Sequence, residues 1–186
     1  MILDWLYATL PNSQIAKLEV FTFGNASNHW NNPKDDDGVA ARGPDRGNPD
    51  DLRVIKHIEH YANSGDWVSR FGILHFRSIR VAVNSPVPDA TPNPTVENRF
   101  SGKLFKREAS GHQLNGNYLD NMFEMDEEMT KVLETNEFME SSVDIEEVLG
   151  GTSRREKGHG TPGAARQSIK SLSRLWKYRN GMSPAD

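Results

Sequence analysis

The opening run, MILDWLYATL followed by Pro11 and AKLEVFTFGN, sets a helix, a short connection and a strand in succession. That order is the rhythm of an α/β fold, and it constrains this chain more than any other feature. Ile2, Leu3, Trp5, Leu6, Tyr7, Ala8 and Leu10 run nearly all round the helix, as in one buried between other elements. No capping residue precedes it, because Met1 already lies in the pattern. The same residues also fit an amphipathic helix that frays at its start. Leu18, Val20, Phe21 and Phe23 then form a β-rich run closed by Gly24, which reads as a buried strand entering a loop.

With no cysteine in 186 residues, no disulfide, thiol nucleophile or thiolate metal site is available, and stability has to come from a core. The length is that of one domain. The absence of cysteine fits a reducing, cytoplasmic compartment; no stretch has a membrane span's run of about 18 apolar residues, and the start lacks a secretory signal's basic and small-residue features. Charge is unevenly placed. Residues 1–150 hold 14 Lys/Arg against 24 Asp/Glu, net −10, and residues 151–186 hold 8 against 2, net +6. The chain therefore divides into an acidic body, 1–149, and a basic tail, 150–186.

Within the body, residues 25–51 are rich in Asn, Asp, Gly and Pro and predict a long polar loop. LRVIKHIEHYA predicts a second strand, WVSRFGILHF a short helix, RSIRVAV another β-rich run, and residues 85–94 a Pro-rich connector. NRFSGKLFKREA predicts a further strand, and SGHQLNGNYLDNMF a helix with Leu114, Tyr118, Leu119, Met122 and Phe123 at helical spacing. Residues 124–147 read as a solvated helix or edge segment. The tail reads as mostly disordered, with a short basic amphipathic helix over 167–178 that turns Ile169, Leu172 and Trp176 to one side, suited to a membrane surface or a partner groove.

Several motifs do not carry the chemistry they suggest. GHGTPG at 158–163 satisfies G-x-G-x-x-G but follows no strand and contains Pro162. Placing Gly38 of DDDG at the sixth position of a calcium loop puts Pro33 and Pro44 where carboxylates are needed. His57 and His60 lie on opposite faces of the predicted strand, so no metal is expected there. Asn25-Ala-Ser27 is a formal glycosylation sequon that matters only in a secreted chain. No cofactor is expected.

Asp66 and His112 are the candidate site. Each follows a predicted strand through a small-residue turn and precedes a helix, NSGDW in one case and ASGHQ in the other. Open parallel sheets deliver functional side chains from such strand ends to one rim. A carboxylate that accepts from one imidazole nitrogen fixes the tautomer and leaves the other nitrogen as a base. The competing structural reading makes Asp66 an N-cap for the helix beginning at Trp67 and His112 a helix-start residue bonded to the backbone.

LEVFTFGNASNHW, IEHYANSGDWVSRFG and GHQLNGNYLDNMF resemble an uncharacterised fungal family of α/β-hydrolase-like proteins and, more distantly, the class 3 lipases. There a T-F-G strand end is followed by an N-x-x-D-x-V-P turn holding the triad aspartate, and later by the triad histidine. Asn63 to Val68 matches that turn, with Ser69 in place of the proline. The resemblance spans about residues 1–140 and implies the C-terminal portion of an α/β-hydrolase fold: about three mostly parallel strands with flanking helices. It implies Asp66 as the acid, His112 as the base and a small ester or lipid substrate. It also implies a G-x-S-x-G serine upstream in the chain order, and no G-x-S-x-G occurs anywhere. The expectation is a partial serine hydrolase, inactive as written, whose first strand and first helix lie uncovered. The alternative is a non-catalytic pseudo-hydrolase or interaction module. Nucleic-acid binding has only the charge of the tail behind it and is not expected.

Overall fold

A computed structural model describes residues 2–35, 53–76, 78–81, 95–98, 100–143 and 167–184. Most of the polar loop, the Pro-rich connector, the G-x-G-x-x-G run and residues 150–166 lie outside the described residues.

The described chain is α/β. Helix α1 (Ile2–Thr9) and the turn of helix α2 (Asn12–Ile15) lead into β1 (Glu19–Phe23). Strand β2 (His57–Gly65), the two short helices α3 (Trp67–Phe71) and α4 (Ile73–Phe76), and a hairpin of β3 (Ser78–Val81) with β4 (Thr95–Asn98) come next. Then comes β5 (Lys103–Ser110). Strands β1, β2 and β5 form one sheet in that order, both pairings parallel. The second strand starts later and ends later than its apolar pattern suggests: Val54 and Ile55 are buried just before it, and its pairing runs on through the polar Asn63 and Gly65.

Alternation along β2 sorts the core into two layers. Phe23, Tyr61 and Phe105 are register neighbours and stack across all three strands, with ring centroids 5.3 Å and 5.1 Å apart. Tyr118, Met122, Phe138, Met139, Ile169 and Trp176 cover that face. On the other face Ile58, His60, Ala62 and Leu104 meet Ile15, Trp30, Ile73 and Phe100. His60 is buried there, with Nδ1 2.7 Å from Thr22 Oγ1 and Nε2 3.0 Å from the Ser101 carbonyl. Its two nitrogens are thus engaged in packing, on the face opposite His57.

Gly72 divides the predicted helix into α3 and α4. A Cβ there would sit 2.1 Å from the Asn25 carbonyl oxygen, so the loop after β1 passes where a side chain would be. Helix α1 is not buried: Ile2 is 79% and Trp5 65% exposed, while Leu3 and Tyr7 pack on the Ile15–Val54 cluster. Beyond β5 the chain forms a π-helical turn (Asn115–Leu119) and α5 (Asp120–Met122) in place of one regular helix. Residues 124–143 are less solvated than expected, because α6 (Glu137–Glu140) buries Phe138 and Met139 before β6 (Ser142–Val143).

The largest departure from the sequence expectation is in the tail. Residues 167–184 are folded against the sheet, where the sequence predicts only a short amphipathic helix over 167–178 in a tail otherwise read as disordered. Strand β7 (Gln167–Ser168) pairs antiparallel with β6, and α7 (Ile169–Leu172) is capped by Ser168, whose hydroxyl accepts from the Ser171 N–H. A 3₁₀ segment (Leu175–Gly181) comes after it, so the predicted helix over 167–178 is broken at Ser173. Ile169 and Trp176 enter the core, and Leu172 packs beside them. The apolar side offered to a membrane or groove is thus used on the chain itself. The basic charge is used the same way: Arg174 pairs with Glu19 at 2.7 Å, Lys170 with Glu140 at 3.2 Å and Arg179 with Glu134 at 2.5 Å. Within residues 167–184 the basic segment and the acidic body are complementary surfaces.

Candidate functional site

Neighbouring parallel strands end on the same rim, which brings the turns after β2 and β5 side by side. Between the pairs Asn63–Arg107 and Gly65–Ser110 the register shifts, β5 carrying one extra residue. Such a bulge bends its strand and re-aims the residues beyond it. Gly111 then turns with φ +92°, and His112 stands next to Asp66, Nδ1 to Oδ2 2.9 Å.

The Asp66 side chain is fully buried and saturated with donors. Oδ1 accepts from the Val68 N–H at 2.9 Å. Oδ2 accepts from the Tyr118 hydroxyl at 2.7 Å, the Ser69 hydroxyl at 3.1 Å and the His112 ring. Asp66 makes two contacts at once: one oxygen caps α3 and the other faces the imidazole. Burial is the largest influence on this carboxyl and pushes its pKa up. The hydrogen bonds from His112, Tyr118, Val68 and Ser69 together outweigh it and hold the pKa below the ordinary aspartate value. Asp66 is therefore ionised at neutral pH, and Nδ1 of a neutral His112 carries the proton. The lone pair of Nε2 is left on a side chain that is 45% exposed and has no other hydrogen bond to a described residue. That is the electronic state of a general base.

Gly24, at the end of β1, closes the third side. Its N–H donates to the Tyr61 carbonyl, its φ is +55°, and a Cβ there would stand 2.7 Å from both Asp66 Oδ2 and His112 Nδ1. Only glycine tolerates that turn and that approach together. The T-F-G strand end is thus a contact of the pair.

Two supporting residues escape a reading by sequence. Ser69, which stands where the lipase turn has proline, is buried and donates to Asp66. Tyr118 is predicted only as an apolar helix position, yet its hydroxyl donates to Asp66 and accepts from the Asn63 N–H at 3.1 Å. Burial first, with the Asp66 charge acting in the same direction, holds that hydroxyl up to about 12, so it remains a donor. A tyrosine at a core position on the turn after a candidate histidine is the signal the sequence offers for it. Among the described residues no serine hydroxyl bonds to His112, and no cluster of three His, Cys, Asp or Glu has the makings of a metal site.

Compared with protein-family models, curated proteins and solved structures, the chain matches none.

Proposed function

We propose that this chain carries the acid and base of a serine-hydrolase-type centre acting on an ester or lipid-like acyl substrate. In this reading it corresponds to the C-terminal part of an α/β-hydrolase fold, with the nucleophile supplied by polypeptide outside these 186 residues. The observation that carries it is the 2.9 Å contact between Asp66 Oδ2 and His112 Nδ1 at the ends of adjacent parallel strands, with the imidazole's other nitrogen on an exposed edge. Asp66 orients the ring and stabilises the imidazolium that forms when Nε2 takes a proton from a hydroxyl. Without that hydroxyl, the route through a serine acyl-enzyme is closed.

The imidazole should still attack an activated ester directly, at a slow rate that does not saturate. The test is p-nitrophenyl butyrate cleavage by wild type and His112→Asn, run beside a fluorophosphonate probe. The expected result is a component of cleavage lost in the variant and no labelled serine. Equal rates would remove the base, and a labelled serine would put the nucleophile inside the chain.

A further inference from the structure

A cleft of about 610 Å³ opens between α3–α4 and β5, lined by Arg70, His75 and Lys106 together with Leu74, Leu104, Ser64, Gly65 and Glu108. It lies on the sheet face away from the C-terminal segment, and His112 is not among its walls. The Arg70 guanidinium makes no hydrogen bond or ion pair with any described residue. Lys106 is shared with Glu108 at 3.3 Å, and Glu108 also accepts from Ser64 at 2.6 Å. The cleft therefore presents one uncommitted guanidinium and one partly committed ammonium above an aliphatic floor. A guanidinium fork matches the paired oxygens of a phosphate.

The surroundings of Arg70 point to the source of that phosphate. Trp67, Arg70 and Phe71 stand at positions i, i+3 and i+4 of α3, so they share its outer side. Trp67 is 66% and Phe71 74% exposed, and their rings touch at a centroid distance of 6.5 Å. Two exposed aromatics flanking an unpaired arginine form a surface that suits the lipid headgroup layer: rings sit at the apolar boundary while the cation meets phosphate. Inorganic phosphate would gain nothing from them.

We propose that this surface docks on an anionic lipid membrane, with a headgroup phosphate in the cleft on Arg70 and Lys106, and Trp67 and Phe71 seated beside it. The proposal does not depend on the hydrolase reading. It uses neither Asp66 nor His112, so failure of one leaves the other standing.

The test is co-sedimentation with vesicles of phosphatidylcholine alone and of phosphatidylcholine with phosphatidic acid, with inorganic phosphate followed by NMR in parallel. Binding should appear on the anionic vesicles only and weaken as salt rises. Arg70→Ala should lower it about fivefold, while Glu108→Gln, which frees Lys106, should raise it. Trp67→Ala with Phe71→Ala should weaken it at constant charge. These residues are exposed or half-exposed, and circular dichroism checks that the variants remain folded. Equal binding to neutral vesicles, indifference to Arg70, or phosphate binding without vesicle binding would each overturn the proposal.

Discussion

Strand β2 carries two buried carboxylates, Glu59 within it and Asp66 just past its end, and they do different work. Glu59 accepts from the Tyr61 hydroxyl at 2.7 Å, the Arg174 N–H at 2.7 Å and the Leu175 N–H at 3.1 Å. Ser173, also buried, ties Tyr61 to the Trp176 N–H through its hydroxyl. None of these donors titrates near neutrality, and none is presented to a substrate. The carboxylate is a clamp that fixes the C-terminal segment across the sheet. Asp66 has four donors to the three of Glu59, but one of them is a half-exposed imidazole whose second nitrogen is uncommitted. A saturated buried carboxylate is therefore no site by itself; the partner that reaches solvent and exchanges protons makes the difference.

The comparison breaks most visibly at the clamp. Glu59→Ala removes the acceptor of two half-buried backbone N–H groups and leaves the buried Tyr61 hydroxyl with Ser173 alone, and should cost about 3 kcal/mol in urea unfolding. Release of Trp176 from its stack on Phe123 gives a fluorescence signal for the loss. Tyr118→Phe removes one Asp66 donor and strands the Asn63 N–H, which should cost about 1–3 kcal/mol. His112→Asn should change stability by less than about 1 kcal/mol, since that side chain is half in water. A site residue is thus expected to matter least for folding and most for chemistry.

Acid sharpens the contrast further. Asp66 has a lowered native pKa, so its contribution to stability is complete above the ordinary value of 3.8 and is lost as the pH falls through the native value. Below pH 3.8, wild-type stability should drop more steeply than that of Asp66→Asn, as followed by urea midpoints.

The parts of this arrangement legible in the sequence are those in which cause and effect lie close together in the chain. An apolar β-rich run ended by Asn-Ser-Gly-Asp, and another ended by Ala-Ser-Gly-His, place two side chains at strand ends. The parallel order of β1, β2 and β5 sets those ends side by side. The clamp is illegible for the opposite reason. Glu59 reads as a polar interruption of a strand, and two of its donors, the Arg174 and Leu175 N–H groups, lie more than a hundred residues away. Net charge also misdirects in the tail. It counts the heads of Lys170, Arg174 and Arg179, but the fold of that segment comes from burying Ile169 and Trp176, with the heads settling on acids of the body. Tyr118 is legible for its ring and not for its hydroxyl, because helical spacing reports only which side faces inward.

The most direct measurement is the ¹⁵N spectrum of the neutral His112 ring in wild type and in Asp66→Asn. The Asp66 contact predicts a protonated Nδ1 and a bare Nε2, with that preference lost when the carboxylate becomes an amide. A wild-type ring protonated on Nε2, or one unchanged by the substitution, would contradict the pairing of the two strand ends.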